Sequence, residues 1–600
     1  MSTFNMSGFR LVNRLIYTAI LGVIICVTLL MAGFASAKGL HLSYPPREHQ
    51  TTSDRIFFIG TAPTNAEVTI NGKVIQRSPQ GHFAPSLPLE LGDNIFSLRY
   101  QAQEITVKVK RLPLLPSPPR ELGFVSQSLK PDQNLQVQEN EQVCFEAIAT
   151  PQQKVHVVIG GKSIALAPLN TPLLPPNSAV LTGTNLPMLT LDIAGRYRGC
   201  TSFATTGNLG HAKYVITNGK QSVTANSPYT IQVLDNSTIK VAVVKTDNAI
   251  TRTGPSSDFA RLTPLPRGVQ AQITGKSGAW WRLSYGAWIA DSDVEIKTAN
   301  FLPKSMVRGM QVVSPKNKAD GWSEVQIPLE VALPFSIAQE QDRLRVTVHQ
   351  ATAQTDTIKQ AEFQDQAIAS VTWEQSQPQS VTYTIQTKRP QQWGYKALYR
   401  GTTLVIAVRH PPQSLQSVSV VIDAGHGGPD DLGAVSPTSY REKDATLAIA
   451  RLVEKELTKR GAKVIMTRTA DVDLDLAPRV AIINRTEPTL ALSLHYNALP
   501  DNGDAEKVAG IGTFWYHPQS RDLGVFLHKY LVTKLKRPDY GIYWGNLALA
   551  RPTVAPCLLL ELGFMINPTE FDWIVNPAAQ QQLASAIADG VFAWLKASLS

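Results

Sequence analysis

Cysteine is scarce, four in 600 residues, and the four form no cluster, which excludes a structural zinc site built from thiolates. Charge is thin as well: Asp, Glu, Lys and Arg make up 17% of the chain against 43% apolar residues. That is too little charge for a disordered polyelectrolyte and enough apolar material for several cores. No Gly-Lys-Ser/Thr follows the glycine-rich loop Asp423-Ala424-Gly425-His426-Gly427-Gly428, and that loop does not run straight into a helix, so it is not a phosphate cradle. Base-reading modules are absent too, which argues against nucleic acid as partner. The net charge of +10 is uneven: from Pro411 onward there are 18 Lys+Arg and 20 Asp+Glu, which leaves 39 and 27 upstream. A basic excess confined to the first 410 residues suits an acidic polymer or an anionic surface.

What is present begins with one long apolar run, Leu15 to Phe34, preceded by Arg10 and Arg14 and followed by Ala35-Ser36-Ala37. It reads as a secretory signal over residues 1–37, the alternative being an uncleaved membrane anchor. Bulky Ile25 before Cys26 argues against lipid attachment. Export, to the periplasm or cell wall, favours a Cys144–Cys200 disulfide, which contributes about 4 kcal/mol on the chain-entropy model. Cys557, in the apolar run Cys557-Leu558-Leu559-Leu560, reads as a buried inert thiol rather than a nucleophile.

At about 150 residues per domain the length implies about four domains, and the pattern along the chain divides accordingly. Residues 38–112 alternate in short runs broken by Asn71-Gly72, a hairpin signal. They loosely resemble a bacterial immunoglobulin-type sandwich. Prolines 113, 116, 118 and 119 form a stiff linker. Residues 120–235 read as a further β domain containing both disulfide cysteines. Over 238–298 the succession Arg252-Thr253-Gly254-Pro255, Leu265-Pro266-Arg267-Gly268, Trp280-Trp281 and Gly286-Ala287-Trp288 resembles a bacterial SH3-like barrel. Trp281 and Trp288 there have two readings, a ligand groove or the filling of a small core. Residues 305–410 are again β-patterned and look like the sheet domains that precede amidases in exported bacterial enzymes and target them to peptidoglycan.

From Val418 strands alternate with helices, which predicts an α/β domain over 418–600 with a mixed or parallel central sheet flanked by helices. The expected elements are strands at 418–422, 463–467, 490–494, 510–516 and 557–562, and helices at 444–460, 478–484, 520–535 and 577–595. Four positions fall at strand ends or loops, where such a sheet places its ligands: His426, Glu442, His495 and Glu561. Each is ordinary alone. Together, two imidazoles and one carboxylate supply three ligands and leave the fourth tetrahedral position of Zn²⁺ to water. Glu561 stands inside an apolar strand, where an acid is costly unless it meets a cation or keeps its proton.

These blocks resemble the zinc-dependent N-acetylmuramoyl-L-alanine amidases across nearly the whole of 418–600. The matching segments are the Asp423–Gly428 loop, Glu442-Lys443-Asp444, Thr467-Arg468 with Asp471, Leu476, Arg479 and Asn484, then Ser493–Ala498, and Glu561-Leu562-Gly563-Phe564 with Asn567. The resemblance implies that His426, Glu442 and His495 hold zinc, that Glu561 is the catalytic acid/base, and that peptidoglycan is the partner. It implies a structural role for Arg468, Asp471 and Arg479, which would pin loops and helices. Division-machinery proteins are further candidate partners, and the rival reading is a non-catalytic peptidoglycan-binding scaffold. Some relatives carry a long inhibitory helix before the last strand; here 499–510 is short and 516–552 has room for one helix, so a site not plugged by its own helix is expected.

Overall fold

A computed structural model describes residues 39–169, 177–182, 194–235, 237–314, 321–357 and 365–599; the expected export segment, 1–37, lies outside them. Strands dominate before residue 410 and helices appear after it. Residues 41–111 form a five-stranded, a three-stranded and a two-stranded sheet. The hairpin signal is realised: Val68–Ile70 pairs antiparallel with Lys73–Val74, and Asn71 (φ 49°) and Gly72 (φ 80°) both take the left-handed conformation that a tight hairpin turn requires.

The next two segments share one sheet. Leu135–Val137 pairs in parallel with Ile231–Val233 on one side and antiparallel with Gln270–Ser277 on the other. One sheet therefore joins the strands before and after residues 235–238 through Leu135–Val137, and the Arg282–Glu141 ion pair ties the same two segments together. Cys144 and Cys200 face each other on paired antiparallel strands and are disulfide-bonded. Trp281 is buried in the small core of the 239–299 strands, while Trp288 lies partly exposed beneath the Arg282 guanidinium, 5.7 Å from its ring. Residues 305–409 add two four-stranded sheets and a two-stranded one, with a shared core around Val346, Tyr383 and Ile406.

The C-terminal domain is a six-stranded mixed sheet with helices. Its elements are β1 (Ser419–Ala424), α1 (Glu442–Lys459), β2 (Lys463–Met466), α2 (Leu476–Thr486), β3 (Leu490–Asn497), β4 (Ile511–Trp515), α3 (Pro518–Leu535), β5 (Asp539–Trp544), β6 (Cys557–Phe564), α4 (Pro568–Ile574) and α5 (Pro577–Leu599). The spatial order is β2-β1-β3-β6-β4-β5. Neighbours are parallel except β4, which runs antiparallel to β6. Seven of the eight residues of β6 are buried, as a central strand covered on both faces demands. Helices α1, α3 and α5 pack together over one face. Each helix end has its reason: Pro518 starts α3 at a position where no N–H is needed, the Asn567 side chain accepts from Thr569 N and Glu570 N to cap α4, and Gly461 (φ 94°) follows α1. β5 and α4 lie outside the elements expected from sequence.

This domain is not isolated. Trp393 belongs to its core beside Trp594, and Arg409 donates to the carbonyls of Glu487 (2.6 Å) and Val554 (2.8 Å). His49 Nε2 lies 2.9 Å from Asp501 Oδ2, and Phe57, Ile59 and Ala84 pack against Ala505, Phe564 and Ile566. Among the described residues no helix is long and apolar enough to cross a membrane.

Candidate metal centre

Strand register brings the site together. β3 and β6 are adjacent and parallel, and His495 on β3 stands opposite Glu561 on β6. β1 lies on the other side of β3, and its chain leaves through Gly425 to His426, which adopts φ 59°. That left-handed conformation is uncommon for a residue with a Cβ and turns the imidazole back toward β3. Gly425 is required where it stands: a Cβ there would lie 2.3 Å from His495 Cε1. Gly433, also left-handed, leaves room for Glu442 and His426, and a Cβ there would meet them at 2.6 and 2.7 Å.

Glu442 opens α1 and reaches across this hollow. Its Oε2 is 3.1 Å from His426 Nε2 and its Oε1 3.1 Å from His495 Nδ1. The backbone N–H groups of Ala434 (2.8 Å) and Tyr496 (3.0 Å) donate to the same two oxygens. One donor atom from each of His426, Glu442 and His495 lies within 4.8 Å of the others. The His426 and His495 side chains keep 24% and 17% of their surface exposed, whereas Glu442 keeps 4%, so the cluster opens on its imidazole side.

Three arginine and acid groups lock this geometry. Arg479 donates to Asp423 Oδ1 (2.9 Å) and to the carbonyls of Ala424 (2.7 Å) and His426 (2.7 Å). Arg468 donates to the carbonyls of Ala424 (2.9 Å), Gly425 (2.9 Å) and Lys443 (2.7 Å). Asp471 accepts from Gly428 N (2.7 Å) and from Lys443 Nζ (2.6 Å). All three thus pin the loop that carries His426, in line with the sequence reading. Asp423 is buried, which would raise its pKa, but the Arg479 charge and the Ser493 and Thr467 hydroxyls more than compensate and hold it below the ordinary carboxylate range.

The same competition sets the charges at the centre. Burial opposes the charged form of Glu442, yet the two imidazoles keep its carboxyl well below the usual range. Burial pulls His426 down, and the Glu442 and Asp431 carboxylates outweigh it and hold the imidazole up at about 9. Glu561 behaves oppositely. Burial, reinforced by the Glu442 charge, pushes its carboxyl up to about 7 against the pull of the imidazoles, and its Oε2 is buried without a hydrogen-bond partner. A deep carboxyl with a free oxygen beside a His–Glu–His set is suited to handling a proton.

One residue escaped sequence reasoning. Asp431 Oδ1 lies 2.5 Å from His426 Nδ1 and so orients the ring that presents Nε2 to the centre, the outer-carboxylate role that ligand imidazoles commonly need. Its only signal is a carboxylate five residues past a histidine in a turn-rich stretch. Cys557 is buried, burial raises its thiol pKa, and it takes no part. Between His495 and β6 the described chain holds β4, α3, β5 and one short 3-10 turn, and 498–510 carries no helix.

Fold and site together define an α/β domain whose strand ends gather three donors fitting one divalent metal ion, with a buried acid alongside. Residues 420–593 match the sequence model of the family described as N-acetylmuramoyl-L-alanine amidase, and the C-terminal domain of this chain belongs to that family. The probable cell wall amidase LytH of Staphylococcus aureus is 36% identical over 179 residues, 30% of this chain and 58% of the relative; the chain thus spans under two thirds of that relative's length. Solved structures similar in sequence include an N-acetylmuramoyl-L-alanine amidase from Clostridium difficile 630, 33% identical over 30% of this chain and 98% of that one, TM-score 0.29. The catalytic domain of the amidase CwlV from Bacillus (Paenibacillus) polymyxa var. colistinus is 32% identical over 30% and 98%, TM-score 0.28.

Proposed function

We propose that this protein is an exported peptidoglycan hydrolase that cleaves the amide bond between the lactoyl group of N-acetylmuramic acid and the L-alanine of the stem peptide. The observation that carries the reading is the convergence, inside the family-matched segment, of His426, Glu442 and His495 within 4.8 Å, beside a buried Glu561 with an unpartnered oxygen. The donor set fits Zn²⁺: two imidazole nitrogens and one carboxylate, a hollow kept free of Cβ atoms at Gly425 and Gly433, and one coordination position left over. A bound Zn²⁺ supplies polarisation of the scissile carbonyl and a lowered pKa for water.

The chain's own groups do the rest. Glu561 Oε2 takes the proton of the attacking water and returns it to the departing nitrogen, general acid/base work contributing about 10²–10⁴-fold. Burial raises the Glu561 carboxyl above the ordinary carboxylate range, which suits a group that both takes and returns a proton. Arg468 and Arg479 keep His426 in its left-handed conformation, and Asp431 fixes the ring. The Cys144–Cys200 disulfide is in keeping with an oxidising compartment, the periplasm or wall, reached through the 1–37 segment as a signal, or with that segment retained as an anchor. The upstream immunoglobulin-like, SH3-like and further β units hold the enzyme on the wall, with division-machinery proteins as additional partners.

Metal analysis combined with mass spectrometry of digested peptidoglycan tests the proposal. Native protein should carry zinc and release stem peptides beginning with L-alanine, whereas Glu561→Gln should keep its metal and lose turnover. Release of fragments cut at a glycosidic bond, or full turnover by Glu561→Gln, would sink it.

A further inference from the structure

The segments that carry the candidate metal centre do not end there; each runs on into contact with the N-terminal unit, residues 39–112. Glu442 stands at the base of a hairpin: the Ala434 N–H donates to its Oε2 (2.8 Å), its own N–H donates to the Ala434 carbonyl (3.0 Å), and Val435 is bridged to Arg441. The tip of that hairpin, Pro437 to Ser439, meets the strand His41–Tyr44. Ser43 Oγ donates to the Pro437 carbonyl (3.0 Å) and lies 3.1 Å from Ser439 Oγ, and His41 Nε2 lies 2.8 Å from the same hydroxyl.

The exits of β3 and β6 behave alike. The Tyr496 N–H donates to Glu442 Oε1 (3.0 Å), and further along the same segment Asp501 accepts from the Tyr44 hydroxyl and lies 2.9 Å from His49 Nε2. β6 runs on from Glu561 to Phe564 and Ile566, which are buried in one apolar cluster with Ala505 and with Phe57, Ile59 and Ala84 of the N-terminal unit. Val435, Leu499 and Tyr540 border that cluster. Tyr540 in turn stands beside Glu561: a Cβ on Gly512, which pairs with Glu561, would lie 2.9 Å from the Tyr540 ring and 3.4 Å from Glu561 Cβ. His82 completes the seam, 3.3 Å from Asp572 and 5.3 Å from the Phe571 ring. All three histidines of residues 39–112 therefore face the C-terminal domain. A module that only tethered the enzyme would be expected to move freely on its linker, whereas an apolar seam with polar clasps at its rim fixes one orientation.

Resting on the amidase reading, we infer that the N-terminal unit is part of the catalytic apparatus, with His41, Ser43, Tyr44 and His49 as positioning residues. They act through the 434–441 hairpin and the 499–508 loop, which set where Glu442 presents its two oxygens. The unit braces the centre without covering it, since the His426 and His495 side chains keep 24% and 17% of their surface exposed. It thus contributes to the reaction itself as well as to holding the wall.

The test uses the full-length protein with two changes: Tyr44→Phe with His49→Ala, which releases Asp501, and separately Ser43→Ala, which releases the hairpin tip. In chelator competition each should bind zinc about tenfold more weakly, the scale of losing an outer support of a ligand. On a soluble muropeptide, kcat per bound zinc should fall about tenfold with KM within about twofold, because the fault is misplacement of the site and not a lost substrate contact. Binding to whole sacculi should not change. Asp501→Ala should cost as much as the Tyr44/His49 pair, and all three changes together no more, as for residues that act as one unit. Ser43→Ala removes a single hydroxyl and leaves the apolar seam intact, so it reads the brace even if the paired variant fails to fold. Native zinc affinity and kcat in the folded variants, or strictly additive losses, would overturn the inference; weakened sacculus binding with native kcat would reduce the unit to a wall anchor and overturn it equally. If native protein cleaves no muropeptide the amidase reading fails by itself, and zinc affinity still decides whether the N-terminal unit positions the site.

Discussion

Two clusters in this molecule use nearly the same residue types and differ in what surrounds them. In the 305–409 unit Asp365 accepts from Ser314 Oγ (2.6 Å), from Ser323 Oγ and from the N–H groups of Ala367 and Ile368 (2.7 Å each), while His410 Nε2 lies 2.8 Å from Ser323 Oγ. Serine, histidine and aspartate are in contact, yet they are 0%, 6% and 4% exposed, and the aspartate holds the serine rather than the histidine. Every oxygen of Asp365 is spoken for. At the candidate metal centre the imidazoles keep part of their surface exposed and Glu561 keeps an oxygen free. Reactivity follows from access and from an acid with a free oxygen, not from the residue list; the buried network, in which His410 Nδ1 alone lacks a partner, serves stability.

Breaking each cluster should therefore give opposite signatures. The largest effect is expected from Glu442→Ala, which removes the carboxylate bridging both imidazoles: bound zinc should fall to background in metal analysis and turnover by at least about 10³-fold, with the melting temperature changed far less. Asp365→Ala should do the reverse, costing about 3 kcal/mol in denaturant unfolding because it leaves two hydroxyls and two N–H groups buried without an acceptor, while the zinc content of folded protein stays at the native level. A melting loss from the first and none from the second would invert the comparison.

Acidification sharpens it further. His517 is buried, and burial lowers its pKa to about 4 despite its hydrogen bond to the Arg551 carbonyl, with the Arg551 charge adding to the fall. Because the folded value lies below the ordinary one near 6.5, its stabilisation is complete above about 6.5. It is lost as pH falls from there toward 4, about 2–3 kcal/mol that His517→Gln should render pH-independent in thermal scans. The smallest change is expected from Asp431→Asn, which leaves all donors in place but loosens the His426 ring: zinc affinity should fall about 10- to 100-fold in a chelator competition, with folding unaffected.

Much of the C-terminal domain was legible because its signals are local. The 3.6-residue repeat of Ile449, Val453 and Leu457 gives α1, and the unbroken apolar run around Leu558–Leu560 gives β6. β5 was not legible: Asp539-Tyr540-Gly541-Ile542-Tyr543-Trp544 follows a proline and contains a glycine, and only pairing with β4 makes it a strand. α4 escaped because it is seven residues long and its signal is a single Asn-Pro cap. The four site residues stood out through their chemistry in distinctive blocks, whereas Asp431 did not, since a lone acid carries no spacing. The joined sheet across residues 235–238 rests on a three-residue strand, Leu135–Val137, about 100 positions upstream in sequence.

The sequence by itself determined the residue types of the candidate metal site and its neighbouring acid, the glycines that make room for them and the alternation of strands and helices, because each is written in neighbouring positions. Tertiary structure alone decided that His495 and Glu561 stand side by side and that Glu442 reaches both imidazoles. Those facts depend on strand register and unit packing, which join residues tens to hundreds of positions apart and leave no trace in any short window of the chain.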